Sequence, residues 1–250
     1  MSHKPRLIID NDTLRREYQA LLPGERVATR LRLAPGEEYL LLDLEARGVE
    51  LFPPGLAQAL SRSKVMQAAI LAPFMLPDTL AVHDLHTLHR AAHRYQQGGV
   101  GRVVVKLDRA NAGMGVLLFG GVEEVINAAT LQSLPFPFLL QPFVDGGRDL
   151  RVIFLGEYRE AYLRYNPVGF RHNLHHGGGS EPRELTREQV EFSLRVMERG
   201  RFPYAHLDLF LLPDGDFYLG EINLRGGLRG AAISPQEYSQ RLAEIYSQAY

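Results

Sequence analysis

Apolar positions in this chain recur in two rhythms. Short continuous or alternating apolar runs, the mark of strands, are interleaved with stretches in which apolar residues return every three or four positions, the mark of helices. Arg6–Asp10 reads as a short strand, with Asp12 placed to cap a helix over Thr13–Leu21. Glu38–Leu44 and Val49–Phe52 read as further strands, closed by Pro53-Pro54-Gly55. Helices are expected from about Leu56 through Ala72 and from Asp84 to Gln96. Strands at Val103–Leu107 and Gly115–Phe119 flank a loop over Asp108–Gly113, and a helix over Val122–Leu131 precedes a strand at Phe138–Phe143. Arg151–Leu155 and Glu160–Tyr165 pair across Gly156, Glu188–Glu198 forms an amphipathic helix, and a last helix starts at Pro235. Strands and helices are mixed, with antiparallel hairpins in the C-terminal half, so the expected class is α+β.

One hairpin raises a chemical question. In LDLFLLPDGDFYLGEIN, residues 207 to 223, Asp-Gly between apolar runs predicts a tight turn. With Pro213 paired to Asp216, the register carries Asp208 directly opposite Glu221, and alternation puts Asn223 on the same face as Glu221. Like charges directly opposite are destabilising. Two carboxylates and an amide oxygen are hard ligands that suit Mg²⁺, whose charge would cancel that repulsion. The competing reading is a solvated hairpin face.

Composition narrows the classes. The 250 residues carry a net charge of −1 and a pI of about 6.8, which gives no electrostatic reason to expect nucleic acid or an anionic membrane as partner. With no cysteine there is no disulfide, thiolate nucleophile or Cys-ligated zinc. The start MSHKPRLIID has no apolar core of a secretory signal, and no segment approaches the ~20 apolar residues of a membrane span, so a cytoplasmic enzyme or binding protein is expected. Lys4, Lys64 and Lys106 are the only lysines in a chain that otherwise uses arginine. A lysine kept against that background suits a place that needs a compact point charge.

Two segments point to phosphate chemistry. Val103-Val104-Val105-Lys106 ends a strand in a cation and leads to Asn111-Ala112-Gly113-Met114-Gly115-Val116, a turn whose backbone N–H groups can hold phosphates. FRHNLHHGGG, residues 170 to 179, places Arg171 where it could neutralise a transferring phosphoryl group. The P-loop and Rossmann patterns are both absent. His83, His86, His89 and His93 share one broad helical face and read as solvated or partly packed, while His172, His175 and His176 lie within the Arg-Asn-Gly loop.

Taken in order, these segments resemble the RimK-like branch of the ATP-grasp ligases, kin of ribosomal-protein glutamate ligase, LysX and glutathione synthetase. The likeness runs from about Leu51 to Gly230 through SRSKVMQAAILAPFMLPDT, VVVKLDRANAGMGV, LLQPFVDGGRDLRVIFLG, FRHNLHHGG and LDLFLLPDGDFYLGEIN. It implies an ATP-grasp fold: a small α/β N-terminal domain over residues 1–60, then an ATP-grasp domain over 61–250. Within the latter it implies a lid at about 97–140 and a C-terminal antiparallel-sheet domain at about 141–250. It also implies ATP and Mg²⁺ as cofactors, with Mn²⁺ an admissible substitute.

The roles that the resemblance implies fall on matching residues. Asp208, Glu221 and Asn223 would hold the metal; Lys64, Lys106, Gly113 and Gly115 would contact the phosphates. Gln141, Pro142 and Phe143 would lie along the adenine hinge, with Asp149 near the ribose. Arg171 and Asn173 would face the γ-phosphate and acyl group, and Arg151 and Arg164 a substrate carboxylate or phosphate.

The implied activity joins a carboxylate to an amine through an acyl phosphate. The substrate would be an amino acid, a small peptide or a protein tail, with room for a homo-oligomer. An ATP-grasp kinase and a non-catalytic ATP-binding regulator are the alternatives. Pro142 departs from an acidic hinge residue, His206 from a small residue, and Arg225 from a Pro-Gly turn. The short N-terminal segment leaves open whether a partner completes the substrate pocket.

Overall fold

The computed structural model describes residues 5–110, 115–165 and 179–249. Three sheets organise them, each over its own apolar core. In the N-terminal unit, β1 (Leu7–Ile8), β2 (Arg26–Val27) and β3 (Glu50–Leu51) run parallel beside α1 (Asn11–Glu17) and α2 (Tyr39–Ala46). Ile8, Leu14, Val27, Leu41 and Leu44 are buried between them. Helices α3 (Gly55–Leu60) and α4 (Lys64–Ile70) follow.

The second sheet, in the order β4-β7-β5-β6, is antiparallel. It comprises β4 (Leu80–Val82), β5 (Val103–Leu107), β6 (Val116–Phe119) and β7 (Phe138–Pro142), and packs against α5 (Leu85–Gln97) and α6 (Val122–Thr130). The third sheet, β10-β9-β8-β11-β12, is formed by β8 (Arg148–Leu155), β9 (Tyr158–Tyr165), β10 (Gly179–Pro182), β11 (Tyr204–Leu211) and β12 (Phe217–Asn223). Its core also takes in residues from α3, α4, α7 (Arg187–Gly200) and α8 (Pro235–Ser247).

The α+β reading holds, with local corrections. Glu38–Leu44, expected as a strand, is the start of helix α2. Its run is built of Leu and Glu, which favour helices, and lacks β-branched residues. Leu40, Leu41 and Leu44 fall on its buried side. The long helix expected over Leu56–Ala72 is two helices, broken at Ser61–Ser63, because the Ser63 hydroxyl accepts from the Met66 N–H at 3.0 Å and caps a new start. Asp10, not Asp12, caps α1, accepting from Thr13 N–H at 2.8 Å. The short strands β2, β4 and β10 had no sequence expectation. The second sheet includes β4 and packs on α5, so this layer starts upstream of the expected lid boundary near residue 97.

The hairpin reaches the expected pairing by an unexpected route. Leu212 and Asp216 bracket a three-residue turn in which Gly215 adopts φ +99°, and Leu212 N–H donates to the Asp216 carbonyl at 2.8 Å. That turn pairs Leu211 with Phe217 and Leu209 with Leu219, one step off the expected register. A bulge at Gly220 restores the step, so Asp208 does face Glu221. A Cβ at Gly220 would lie 3.1 Å from the Asp208 carbonyl oxygen, which favours glycine in the bulge.

Strand β12 is the outer strand of its sheet, and beyond a single bridge from Leu219 to Met75 its outer edge is held by a side chain. The buried Gln67 of α4 accepts from Ile222 N–H at 3.0 Å and donates to the carbonyls of Ile222 at 2.8 Å and Leu60 at 2.7 Å. One amide thus acts as a strand partner for the segment that carries Glu221 and Asn223. Gln67→Leu should lower stability by about 3 kcal/mol, since it leaves buried backbone groups unsatisfied. Urea unfolding checks this, and an unchanged midpoint would show that the edge is held by other means.

Candidate active site

Register places the charged residues in rows across the third sheet. Tyr162, Arg151, Asp208 and Glu221 stand side by side on β9, β8, β11 and β12. One step towards the hairpin turn, Arg164 faces Asp149, and Asp149 faces Phe210. One step the other way, His206 faces Asn223. The rows form the floor of a cleft of about 980 Å³ whose roof includes Lys106, Val104 and Gln141 of the second sheet.

Asp208 carries the densest charge contacts. Arg151 donates to both its oxygens, at 3.1 Å through Nη2 to Oδ2 and closer through Nε to Oδ1. Arg164 Nη2 lies 2.7 Å from Asp208 Oδ2 and 2.6 Å from Asp149 Oδ2. Burial opposes ionisation of Asp208, but Arg151 and then Arg164 overcome it and hold the carboxyl well below the usual carboxylate range. Asp149 goes the other way: burial raises its pKa against the pull of Arg164, and its Oδ1 has no hydrogen-bond partner. Glu221 is 3.2 Å from Lys64 Nζ, which also donates to the Ala110 carbonyl at 2.8 Å. Burial lowers the pKa of Lys106, with Glu221 the main opposing influence.

His206 lies buried beside this floor, covered by the backbone at Gly226. Its Nε2 lies 3.0 Å from the Tyr238 hydroxyl, and its Nδ1 is buried without a partner. Burial, helped by Arg151, pushes its pKa down to about 3, so the ring is neutral near pH 7. The backbone after β12 presses on this ring: a Cβ at Gly226 would sit 2.5 Å from His206 Nδ1 and 2.7 Å from Arg151 Nη1. That close approach favours glycine at position 226, in the segment that departs from the Pro-Gly turn of the resemblance.

Most expected site residues gather here. Lys64, Lys106, Asp149, Asp208, Glu221 and Asn223 line the one cleft, as do Gln141, Pro142 and Phe143 along its hinge side. Gly115 is not among the lining residues; it packs against Ala110, with which any Cβ would collide. Gly113, Arg171 and Asn173 lie outside the described residues. Arg151 and Arg164 line the cleft but differ from expectation: their guanidinium groups are engaged by Asp208 and Asp149 rather than open to a substrate anion. Sequence reasoning missed Arg30, Glu38, Arg62, Arg109 and Arg229, which complete the walls. The excess of arginine over lysine was the signal, but arginines on segments far apart in sequence gave no sign of converging.

The donor set fits a nucleotide with a divalent cation. Nine cationic side chains against four carboxylates line the cleft, although the whole chain is at −1, so a polyanion is favoured there. Among the described residues no three His, Cys, Asp or Glu side chains gather as a metal group; the third donor of the expected set is the Asn223 amide. Mg²⁺ accepts such hard oxygens, and binding it would exchange with Arg151, Arg164 and Lys64 at the two carboxylates.

Replacing Arg151 by Met should destabilise the metal-free protein by roughly 3 kcal/mol, since it strips one partner from a largely buried carboxylate and leaves Arg164 to hold it alone. Urea unfolding at pH 7 tests this, and an unmoved midpoint would remove Arg151 from the support of Asp208.

Comparison with known proteins agrees with this geometry. Residues 61–240 match the RimK-like ATP-grasp domain. A probable alpha-L-glutamate ligase of Rhodopirellula baltica is 31% identical over 179 residues, covering 68% of this chain and 43% of that protein. Another, from Trichodesmium erythraeum, is 30% identical over 198 residues, covering 74% of this chain and 63% of that protein. The chain therefore spans between about two fifths and two thirds of these relatives' length. Among solved structures, D-cycloserine synthetase superposes with a TM-score of 0.62 at 19% identity, covering 88% of this chain and 84% of that one. D-alanyl-alanine synthetase A of Vibrio cholerae does so at 0.58 and 18%, covering 89% and 77%. With the fold shared and the domain match covering most of its length, the chain belongs to the RimK-like ATP-grasp family.

Proposed function

We propose that this protein is an ATP- and Mg²⁺-dependent, ADP-forming carboxylate–amine ligase that makes an amide or peptide bond through an acyl phosphate. The observation that carries the reading is the row Arg151–Asp208–Glu221, set beneath Lys64 and Lys106 in a cleft with an excess of cations. In this reading Asp208, Glu221 and Asn223 hold Mg²⁺, or Mn²⁺ in its place, and the bound ion supplies charge neutralisation at the phosphate oxygens. Lys64 and Lys106 hold the phosphates, Gln141 to Phe143 receive the base, and Asp149 lies near the ribose. Phosphate charge brought to Lys106 would favour its protonated form, which burial disfavours.

The chemistry asked of the chain is chiefly positioning and charge neutralisation. A substrate carboxylate attacks the γ-phosphorus and ADP leaves; an amine then attacks the acyl carbon, and phosphate leaves as the amide forms. Arg171 and Asn173 act on the transferring group. Arg151 and Arg164, which line the same cleft, would help neutralise the developing anion. The substrate is an amino acid, a short peptide or a protein tail, and the setting is the cytoplasm. The N-terminal unit supports a pocket completed within one chain, because Arg30, Leu33, Pro35 and Glu38 already form one of its walls.

Incubation with ATP, Mg²⁺, hydroxylamine and a pool of amino acids and short acidic peptides should yield a hydroxamate together with ADP and phosphate. A stable phosphorylated alcohol without hydroxamate would identify a kinase instead, and nucleotide binding without release of ADP a regulator. Glu221→Gln should lower turnover by roughly 100-fold or more with the fold intact. Equal rates for Glu221→Gln and wild type at limiting Mg²⁺ would remove Glu221 from the metal site.

Lys106→Arg should weaken ATP binding on the order of tenfold, since a wide planar fork replaces a compact charge. Titration calorimetry reads this directly, and an unchanged affinity would end the phosphate role of Lys106.

A further inference from the structure

Beyond Asn223 the cleft wall carries three arginines, Arg30, Arg62 and Arg225, that form no ion pair among the described residues. Two sets of hydrogen bonds bring them together. The Leu224 N–H donates to Ser61 Oγ at 2.9 Å, so the segments that carry Arg225 and Arg62 meet at this bond. Arg62 donates to the Leu31 carbonyl through Nη2 and to the Leu33 carbonyl at 3.4 Å through Nη1, which draws in Arg30, the residue before Leu31. All three arginines line the cleft. Among the described residues none of them forms an ion pair, and Arg62 Nε is buried without a hydrogen-bond partner. The one carboxylate on this wall, Glu38, is already held by Arg109 at 2.9 Å. Burial first, and then Arg30, lower the pKa of Arg62, with Glu38 opposing them, so Arg62 and Arg30 repel one another across this wall.

Their place along the cleft separates them from the nucleotide. On β11 and β12 the order of rows is Phe210 beside Asp149, then Asp208 facing Glu221, then His206 facing Asn223. Phe210 packs against Gly147, where any Cβ would collide with its ring, so that end of the rows is the hinge end. Arg225 follows Asn223 at the opposite end, past the carboxylate pair, and Gly226 pins its backbone against His206 and Arg151.

We infer that Arg30, Arg62 and Arg225 form an anion-binding subsite for a second anionic group of the substrate, a carboxylate or a phosphate set apart from the group that reacts. Calling that ligand the substrate rests on the ligase reading; the anion subsite itself rests on the arginines. Guanidinium forks suit either anion through paired N–H donors. Arg225 is exposed and Arg30 half-buried, so a ligand can reach both, whereas the guanidinium of Arg62 is braced by backbone carbonyls and so presents its charge in a set direction. The N-terminal unit then has a specific task, because it supplies Arg30.

The test is titration calorimetry on the full chain with tricarballylate, 3-phosphoglycerate and butyrate, and separately with the ATP analogue AMPPNP and Mg²⁺. At least one of the two polyanions should bind on the order of tenfold more tightly than butyrate, and the tighter one distinguishes carboxylate from phosphate. Arg225→Ala and Arg30→Ala should each reduce that affinity on the order of tenfold, with Arg225→Lys in between, while AMPPNP affinity holds. Arg62 is left intact because it also braces Leu31 and Leu33. Equal binding of butyrate and both polyanions to the wild type would overturn the subsite, as would undiminished polyanion binding in both alanine variants. Loss of AMPPNP affinity in Arg225→Ala would overturn it too, by giving the arginine to the nucleotide. If the wild type discriminates polyanions and the variants lose that discrimination, but AMPPNP does not bind, the subsite stands and the ligase reading falls.

Discussion

The carboxylate of Asp208, gripped by Arg151 and Arg164, is the interaction on which the architecture of the cleft depends. Without those guanidinium groups, two carboxylates facing each other on β11 and β12 would repel in a largely buried place. With them, Asp208 stays ionised against the cost of burial, and Glu221 finds its own cation in Lys64. The cost of gathering anions is thus met before any ligand arrives, by groups that an incoming cation can replace. A similar preloading holds on the roof, where burial disfavours the charged form of Lys106 and an arriving phosphate would relieve it.

Several connections far apart in sequence keep this arrangement aligned. Gln67 binds the outer edge of β12, Ser61 ties down the segment after it, and Ser63 with the Val65 N–H holds Asp108 beside the loop that continues from β5. All three anchors come from the short stretch around α3 and α4. The break between those helices therefore has a structural use: it starts α4 at Lys64, with the ammonium in the cleft and Ser63 free to serve both as cap and as a donor to Asp108. The N-terminal unit, small as it is, reaches the same cleft through Arg30 and through the Glu38–Arg109 pair.

Local chemistry was legible where it repeats a local rule. Asp-Gly between apolar runs announced the hairpin, and alternation placed Glu221 and Asn223 on one face. A lysine ending a valine strand announced Lys106. Even there the turn was misread, and the pairing of Asp208 with Glu221 survived because the Gly220 bulge offsets a one-residue slip. The Leu-rich stretch after Glu38 was read as a strand because a short apolar run fits either period, and only its packing against the N-terminal core distinguishes the two.

By itself, then, the chain determined its α+β class, the hairpin with its acidic pair, and the lysine that ends the valine strand, because each follows from neighbours within one or two elements. Tertiary structure alone decided which cations hold Asp208, that Arg30, Arg62 and Arg225 share one wall, and that a glutamine closes the sheet edge. Those outcomes join segments as distant as Gln67 and Ile222. Charge is long-ranged and blind to sequence order, so which arginine meets which carboxylate depends on where the sheets place them, and local sequence pattern does not encode that.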